Sequence, residues 1–300
     1  MRINCITFSA VIRMDIGNPN SGYNEDIIST IKKIQHPNGD SYPYISGQSI
    51  RRMVRERMKD MGFQNSPKSM DSGKGKSPYS TSCDPVKYPD DDLFGYMYAK
   101  SDSSETSSVM VSRTSPVRVS PAIALFPYSY GRDLGLQNNS DIHQNHRMYE
   151  TEVSSNWLTY SVLVEVDRVG VGKSEIRQGN QTVDWEVPVE ERIRRIRGLL
   201  NSFFYLWGGG KQSRLLTNES PVAVAISIQS VKNPIWMGRV IIDAWGNLDD
   251  DSLQQVLKDN SNIIHYADVG VEKSAIHSKK FSISPKALID AVIDKVEGIF

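Results

Sequence analysis

Cysteine is nearly absent from this chain of 300 residues: Cys5 and Cys83 stand far apart, outside any CxxC or Cys/His spacing. That excludes a disulfide framework and a structural zinc site, and both read as ordinary reduced thiols, Cys5 within a strand. Net charge is also missing. Lys+Arg and Asp+Glu each total 35, so no global field draws the chain to a polyanion, and any nucleic-acid surface has to come from local segregation of charge. There is no apolar run of about eighteen residues, and MRINCITFSAVIRMD lacks the apolar core of a signal peptide. These absences predict a cytoplasmic protein with no membrane partner. No nucleophile–base pair, GxSxG or HExxH occurs, which predicts neither catalysis nor a cofactor. His143 and His146, three apart in an Asn/Gln-rich loop, read as solvated histidines rather than a metal pair.

What is present is a hydrophobic content of 39%, enough to bury a core as one large domain with insertions. Residues 2–14 predict a central strand, apolar on both faces, followed by a Gly/Asn/Pro loop over 15–26 and the turn HPNGD at 36–40. Helical spacing of Ile50, Met53, Val54, Arg57/Met58 and Met61 predicts a helix over 47–61. From 62 to about 110 the composition turns polar around one apolar island, DLFGYMYA, as expected of an insertion of long loops. Strand character resumes over 109–128, broken by Pro116 and Pro121, and again over 157–170; the polar segment between them suggests a projecting hairpin. After a second polar hairpin at 172–188, VEERIRRIRGLLNSFFYLW (189–207) is an amphipathic helix that GGG should end. Strands are expected at 221–231 and 239–245, and helices around 250–258 and over 284–298.

Reduced to its core, the order is strand, helix, strand, strand, helix, strand, the split βαβ pattern of α+β ferredoxin-like and RNA-recognition folds. Three stretches carry chemistry. YPYISGQSIRRMVRERM (42–58) puts Ser46, Gly47, Gln48 and Ser49 at a helix start beside Arg51, Arg52 and Arg55. Free backbone N–H groups there suit a phosphate, while cations in a first turn oppose the helix dipole unless an anion sits with them. The competing reading is a solvated basic face capped by Ser46 and tied to Glu56 and Asp60. WGGGKQSRLLTNESP (207–221) offers glycines followed by Lys211, Gln212 and Arg214, either a loop tracking a phosphodiester backbone or a plain Gly cap with a charged turn. RTSPVRVSPAIALFPYSYGR interleaves Arg113, Arg118 and Arg132 with Phe126, Tyr128 and Tyr130, a mixture that suits single-stranded RNA or a strand whose aromatics face the core.

Taken in order, the N-terminal strand, the Gly/Asn loop, YPYISGQSIRRMVRERM, DLFGYM, RTSPVRVSPAIAL and GGGKQSRLLTNESP resemble the Cas seven-type backbone subunit of type I-B CRISPR Cascade complexes, in the DevR-like branch. The resemblance spans most of the chain and implies a right-hand shape: an RRM-like palm (1–61, about 109–127, 157–170 and 189–245), fingers at 62–108 and a thumb at 127–156. It implies copies of the chain side by side along CRISPR RNA, with other Cascade subunits and a target DNA strand paired to the guide as further partners. RNA contacts carry over to Ser46, Gly47, Gln48, Arg51, Arg52, Arg55, Gly209, Lys211, Gln212 and Arg214, with Arg13 and Asn24 flanking the first loop. Leu134, Leu136 and Met148 have the apolar side chains a base-displacing thumb needs. Related type III subunits cut target RNA with an aspartate after the first strand, which makes Asp15 the candidate of an alternative, endonuclease reading.

Overall fold

In the computed structural model, which describes residues 3–25, 27–67, 81–99, 110–137, 147–178, 181–298 and 300, the chain begins with β1 (Cys5–Gly17), β2 (Ser21–Glu25), β3 (Ile28–Ile31), β4 (Lys33–Gln35) and β5 (Ser41–Ile45). Next come α1 (Gly47–Asp60), α2 (Pro89–Phe94), β6 (Tyr96–Ala99), β7 (Met110–Arg113), β8 (Val117–Val119) and β9 (Ala122–Ala124). Two hairpin strands, β10 (Arg132–Gln137) and β11 (Arg147–Glu152), precede β12 (Ser154–Val164), β13 (Val171–Gln178), β14 (Gln181–Glu186) and α3 (Val189–Phe204). The chain closes with β15 (Trp207–Gly208), β16 (Thr217–Asn218), β17 (Pro221–Gln229), α4 (Asp250–Asp259), β18 (Ile264–Val271) and α5 (Pro285–Glu297).

The main sheet runs β18-β17-β1-β12-β9-β5-β4, with β8 also on β12. Its centre is β1, paired antiparallel with β12 from Ile6↔Val164 to Gly17↔Ser154 and with β17 from Cys5↔Gln229 to Ile12↔Pro221. Because side chains alternate along a strand, β1 serves two cores. Ile6, Phe8, Ala10, Ile12 and Met14 meet α1, α3 and α5 through Ile50, Val54, Leu199, Phe203 and Leu288. Val11 faces the other way, onto Trp236, Val240, Ile242 and Leu253, while Ser9 hydrogen-bonds Ser161 and the Trp236 indole donates to Ser227. Both faces of the sheet are therefore covered.

The apolar island of the insertion forms α2 and the β6–β7 hairpin. Three consecutive acids, Asp90, Asp91 and Asp92, are buried there. Asp92 lies between two guanidiniums, Arg113 at 2.5 Å and Arg195 at 2.9 Å, and also accepts from the Gly170 N–H at 2.9 Å. Arg113 reaches Glu175 as well, and Arg195 reaches Glu191 and the Pro85 carbonyl. Burial pushes the Asp92 carboxyl up, and the two arginines oppose that shift. This cluster fastens the island to α3 and to the β13–β14 hairpin.

Several expectations need correction. Residues 239–245 form no strand but a bridged turn, Ile242↔Leu248, and the strand beside β17 is instead β18. The helix before the glycines ends at Phe204 with Tyr205 as its cap, so GGG does not terminate it. The loop expected at 15–26 contains the end of β1 and all of β2. Arg113 is interior, which removes it from the surface mixture with Tyr128 and Tyr130. Parts of the 62–108 and 127–156 segments, His143 and His146 among them, lie outside the described residues. Removing one partner of a buried ion cluster leaves uncompensated charge. Asp92→Ala should accordingly lower unfolding stability by about 3–5 kcal/mol, read as a fall in the urea midpoint.

Candidate nucleic-acid interface

The mouth of α1 follows β5 directly. Ser46, still extended, caps the helix by accepting from the Ser49 N–H at 3.3 Å, and the first turn holds no acidic residue. Gly47 is fixed by contact: a Cβ there would lie 2.5 Å from the Val119 carbonyl of β8. The arginines then divide by position. Arg51 donates to the Phe94 carbonyl, and both Arg51 and Arg55 lie over the Phe94 ring, Arg55 at 4.2 Å. Burial, reinforced by the Arg51 charge, lowers Arg55 to about 10. Arg57 is only 8% exposed, stacked 4.3 Å over Trp207 and paired with Asp60. Gln48 and Arg52 are exposed, and neither makes a hydrogen bond or ion pair with the described residues.

The glycine loop abuts this mouth. A Cβ on Gly208 would collide with Met53 of α1, and Trp207 carries the Arg57 stack. Gly210 donates to the Asn18 carbonyl at 2.7 Å, which ties the loop to the end of β1. Gly209 and Lys211 both adopt left-handed backbone, φ +92 and +57, and the exposed Lys211 does so without glycine's freedom. Its carbonyl accepts from the Arg214 and Leu215 N–H groups, making one tight turn. Arg214 reaches outward to the next element: 2.9 Å to Asp133, 3.1 Å to Thr151 Oγ1, and 4.7 Å above the Tyr149 ring.

That element is the β10–β11 hairpin, extended by β3 and β2 into a sheet of its own in the order β10-β11-β3-β2. Tyr149 lies across Gly135 on the face that meets Arg214. On the other face Leu134 and Leu136 stand beside Met148, which pairs with Leu136, and they are 56%, 62% and 53% exposed. The hairpin base is locked by Glu152, which accepts from the Ile31 N–H and from Lys33 Nζ, each at 2.8 Å. Helix mouth, glycine loop and hairpin thus form one contiguous rim. Arg13 lies apart from it, on the Val11 face of β1, paired with Asp15 at 2.9 Å and 5.6 Å over Trp157; Asp15 is 81% exposed. Asn24 pairs through its backbone with Ser29 in the β2–β3 ladder. Among the described residues no group of three His, Cys, Asp or Glu side chains is placed to hold a metal.

The profile of the family described as CRISPR-associated negative auto-regulator DevR/Csa2 matches residues 20–237, which include the helix mouth, the hairpin and the glycine loop. The chain belongs to this family. No curated protein sequence matches it. Among solved structures, a chain of a "CRISPR RNA-guided surveillance complex, pre-nicking" superposes with a TM-score of 0.61 at 14% identity, covering 99% of this chain and 100% of its own. A chain of a "CRISPR RNA-guided surveillance complex" does so with a TM-score of 0.56 at 17% identity, covering 97% and 99%. At these identities the likeness is one of fold.

The DevR/Csa2 chain also holds features that sequence reading missed. Asn18, Asp133 and Tyr149 join the rim's parts, but each sits in a polar stretch where nothing marks it out. More unexpected is Glu219, within the stretch read as a charged turn: it is 0% exposed and neither carboxylate oxygen has a hydrogen-bond partner among the described residues. Burial pushes its acid up to about 8, with the Thr217 hydroxyl opposing that shift. The folded protein therefore holds this proton well above 4.5, the ordinary value to which the unfolded chain returns. Stability is then fully present below pH 4.5 and declines as pH rises towards 8. Glu219→Gln should relieve that decline: thermal scans should show the variant gaining on the parent by up to about 1.4 kcal/mol per pH step, with no gain below pH 4.5.

Proposed function

We propose that this DevR/Csa2-family chain is a CRISPR RNA-binding backbone subunit of a type I-B Cascade complex, acting in the cytoplasm without cutting RNA. The observation that carries the reading is the contiguous rim, where a helix start with no acid of its own, a cationic glycine loop and a hairpin with an exposed apolar face meet. On this reading the sheet segment β17-β1-β12-β9, the fourth, first, third and second strands of the βαββαβ order, is an RRM-like palm. The insertion around α2 makes the fingers and the β10–β11 hairpin the thumb.

Backbone phosphates lie against the Gln48 region, Arg52, Lys211 and Arg214, while Arg51 and Arg55 hold the helix mouth on Phe94. Leu134, Leu136 and Met148 push between bases. Copies of the chain stand side by side along the spacer, and sequence is read by pairing between guide and target DNA, so the protein senses backbone and shape alone. A neutral chain suits such a row, since acidic surfaces can meet basic ones on the next copy while local cations remain for phosphate.

Purification from cells carrying the CRISPR array should yield the protein with a discrete RNA of uniform length. Arg52→Glu and Lys211→Glu should each weaken single-stranded RNA binding at least tenfold and lower the slope of log K against log salt by about 0.7. A protein that stays monomeric and ignores single-stranded RNA at low salt overturns the reading. Cuts at regular spacing in complementary RNA with divalent metal, abolished by Asp15→Ala, would replace it with the endonuclease alternative.

A further inference from the structure

Beneath the glycine loop lies a cluster of buried polar side chains, most of whose polar atoms have no partner among the described residues. Both Glu219 oxygens, both polar atoms of the Gln212 amide and the Tyr160 hydroxyl lack hydrogen bonds among the described residues. The Gln212 and Glu219 groups converge under one point: a Cβ on Gly209 would sit 3.3 Å from Gln212 Nε2, 3.3 Å from Glu219 Oε1 and 3.1 Å from the Asn18 carbonyl. The Glu219 backbone is pinned just past the end of α3, its N–H donating to the Leu206 carbonyl at 3.0 Å. A native fold seldom leaves so many buried polar atoms unmatched, and a cluster of them invites a role.

We propose that Glu219 is a positioning residue of the glycine loop whose proton sets how strongly the loop holds RNA phosphate. The proposal rests on the RNA reading above and deepens it. A neutral Glu219 leaves the loop to carry the positive charge of Lys211 and Arg214 outward. Once ionised, the same side chain places a negative charge in a buried, low-dielectric position beneath Gly209, where little water screens it. It also offers an acceptor to the Gln212 amide already buried beside it. Glu219's acid stands near 8, so this exchange falls close to physiological pH.

The groups facing Glu219 leave it free to dominate. Asn18 at the end of β1, Gly209 and Gln212 of the loop and Thr217 of β16 carry no charge, and the Tyr160 phenol from β12 is pushed upward by burial and by Glu219 itself. Linkage makes the effect reciprocal: a phosphate that disfavours ionised Glu219 must raise its proton affinity, so RNA binding near pH 8 draws protons from buffer.

The test uses the full chain and a fluorescent oligoadenylate, whose bases do not titrate between pH 6.5 and 9. Affinity of the parent should fall about tenfold over that range, and Glu219→Gln should hold its affinity constant. Calorimetry of the parent at pH 8 in buffers of different ionisation enthalpy should show about half a proton taken up per RNA site, a readout that needs no variant. A flat parent profile, an equal slope in Glu219→Gln, or no proton uptake overturns the inference and leaves RNA binding standing. Failure of both proteins to bind at any pH removes the RNA reading and this one with it.

Discussion

The Asp92 carboxylate, held between the Arg113 and Arg195 guanidiniums, is the contact on which the placement of the candidate interface depends. It fixes α2 against α3, and α2 ends in Phe94, whose ring and carbonyl hold Arg51 and Arg55. The basic face of α1 is thereby sorted. Two arginines are bound inward, Arg57 is stacked on Trp207, and Arg52 with Gln48 remains at the surface. A fully buried ion cluster is weak evidence for stability in itself, because desolvation opposes the Coulomb gain. Its value here is geometric, since an apolar replacement would pack without specifying where Phe94 must lie.

The second constraint is the covering of the sheet. RNA-recognition folds that stack bases on their strands need an open sheet face. Here one face carries α1, α3 and α5, and the other is covered over β1, β17 and β18 by Trp236, Val240, Ile242 and Leu253. A ligand is left the edge, where strand ends and connections meet. That is where the end of β1, the start of α1, the glycine loop and the hairpin gather, with Asn18 and Arg214 bridging between them. On the proposed reading, the βαββαβ order would support a different mode of recognition, one that tracks backbone rather than reading bases.

Within that edge the glycine loop combines rigidity with stored polar potential. Left-handed backbone at Gly209 and Lys211 sets the loop's path, and Arg214 anchors its far side to the hairpin. Behind it lies the buried Glu219 carboxyl, which burial pushes towards its neutral form. Arg214 joins loop to hairpin, and the buried Glu219 lies behind them.

By itself the sequence determined the periodic elements and the two cationic stretches. The spacing of Ile50, Met53, Val54 and Met58 specifies α1, Ser284-Pro285 specifies the start of α5, and SGQSIRR and GGGKQSR stand out as cationic stretches. These are local signals, written in neighbouring residues. Tertiary structure decided what depends on distant ones: that β18 rather than residues 239–245 lies beside β17, that Arg113 is interior, and that Arg51 turns to Phe94. It also decided that Glu219 is buried, although its neighbours Asn218 and Ser220 read as an ordinary polar turn. The reason is physical. A charged side chain carries its chemistry in the sequence, but its solvation, and with it its protonation and its reach, is set by whichever segments the fold brings around it.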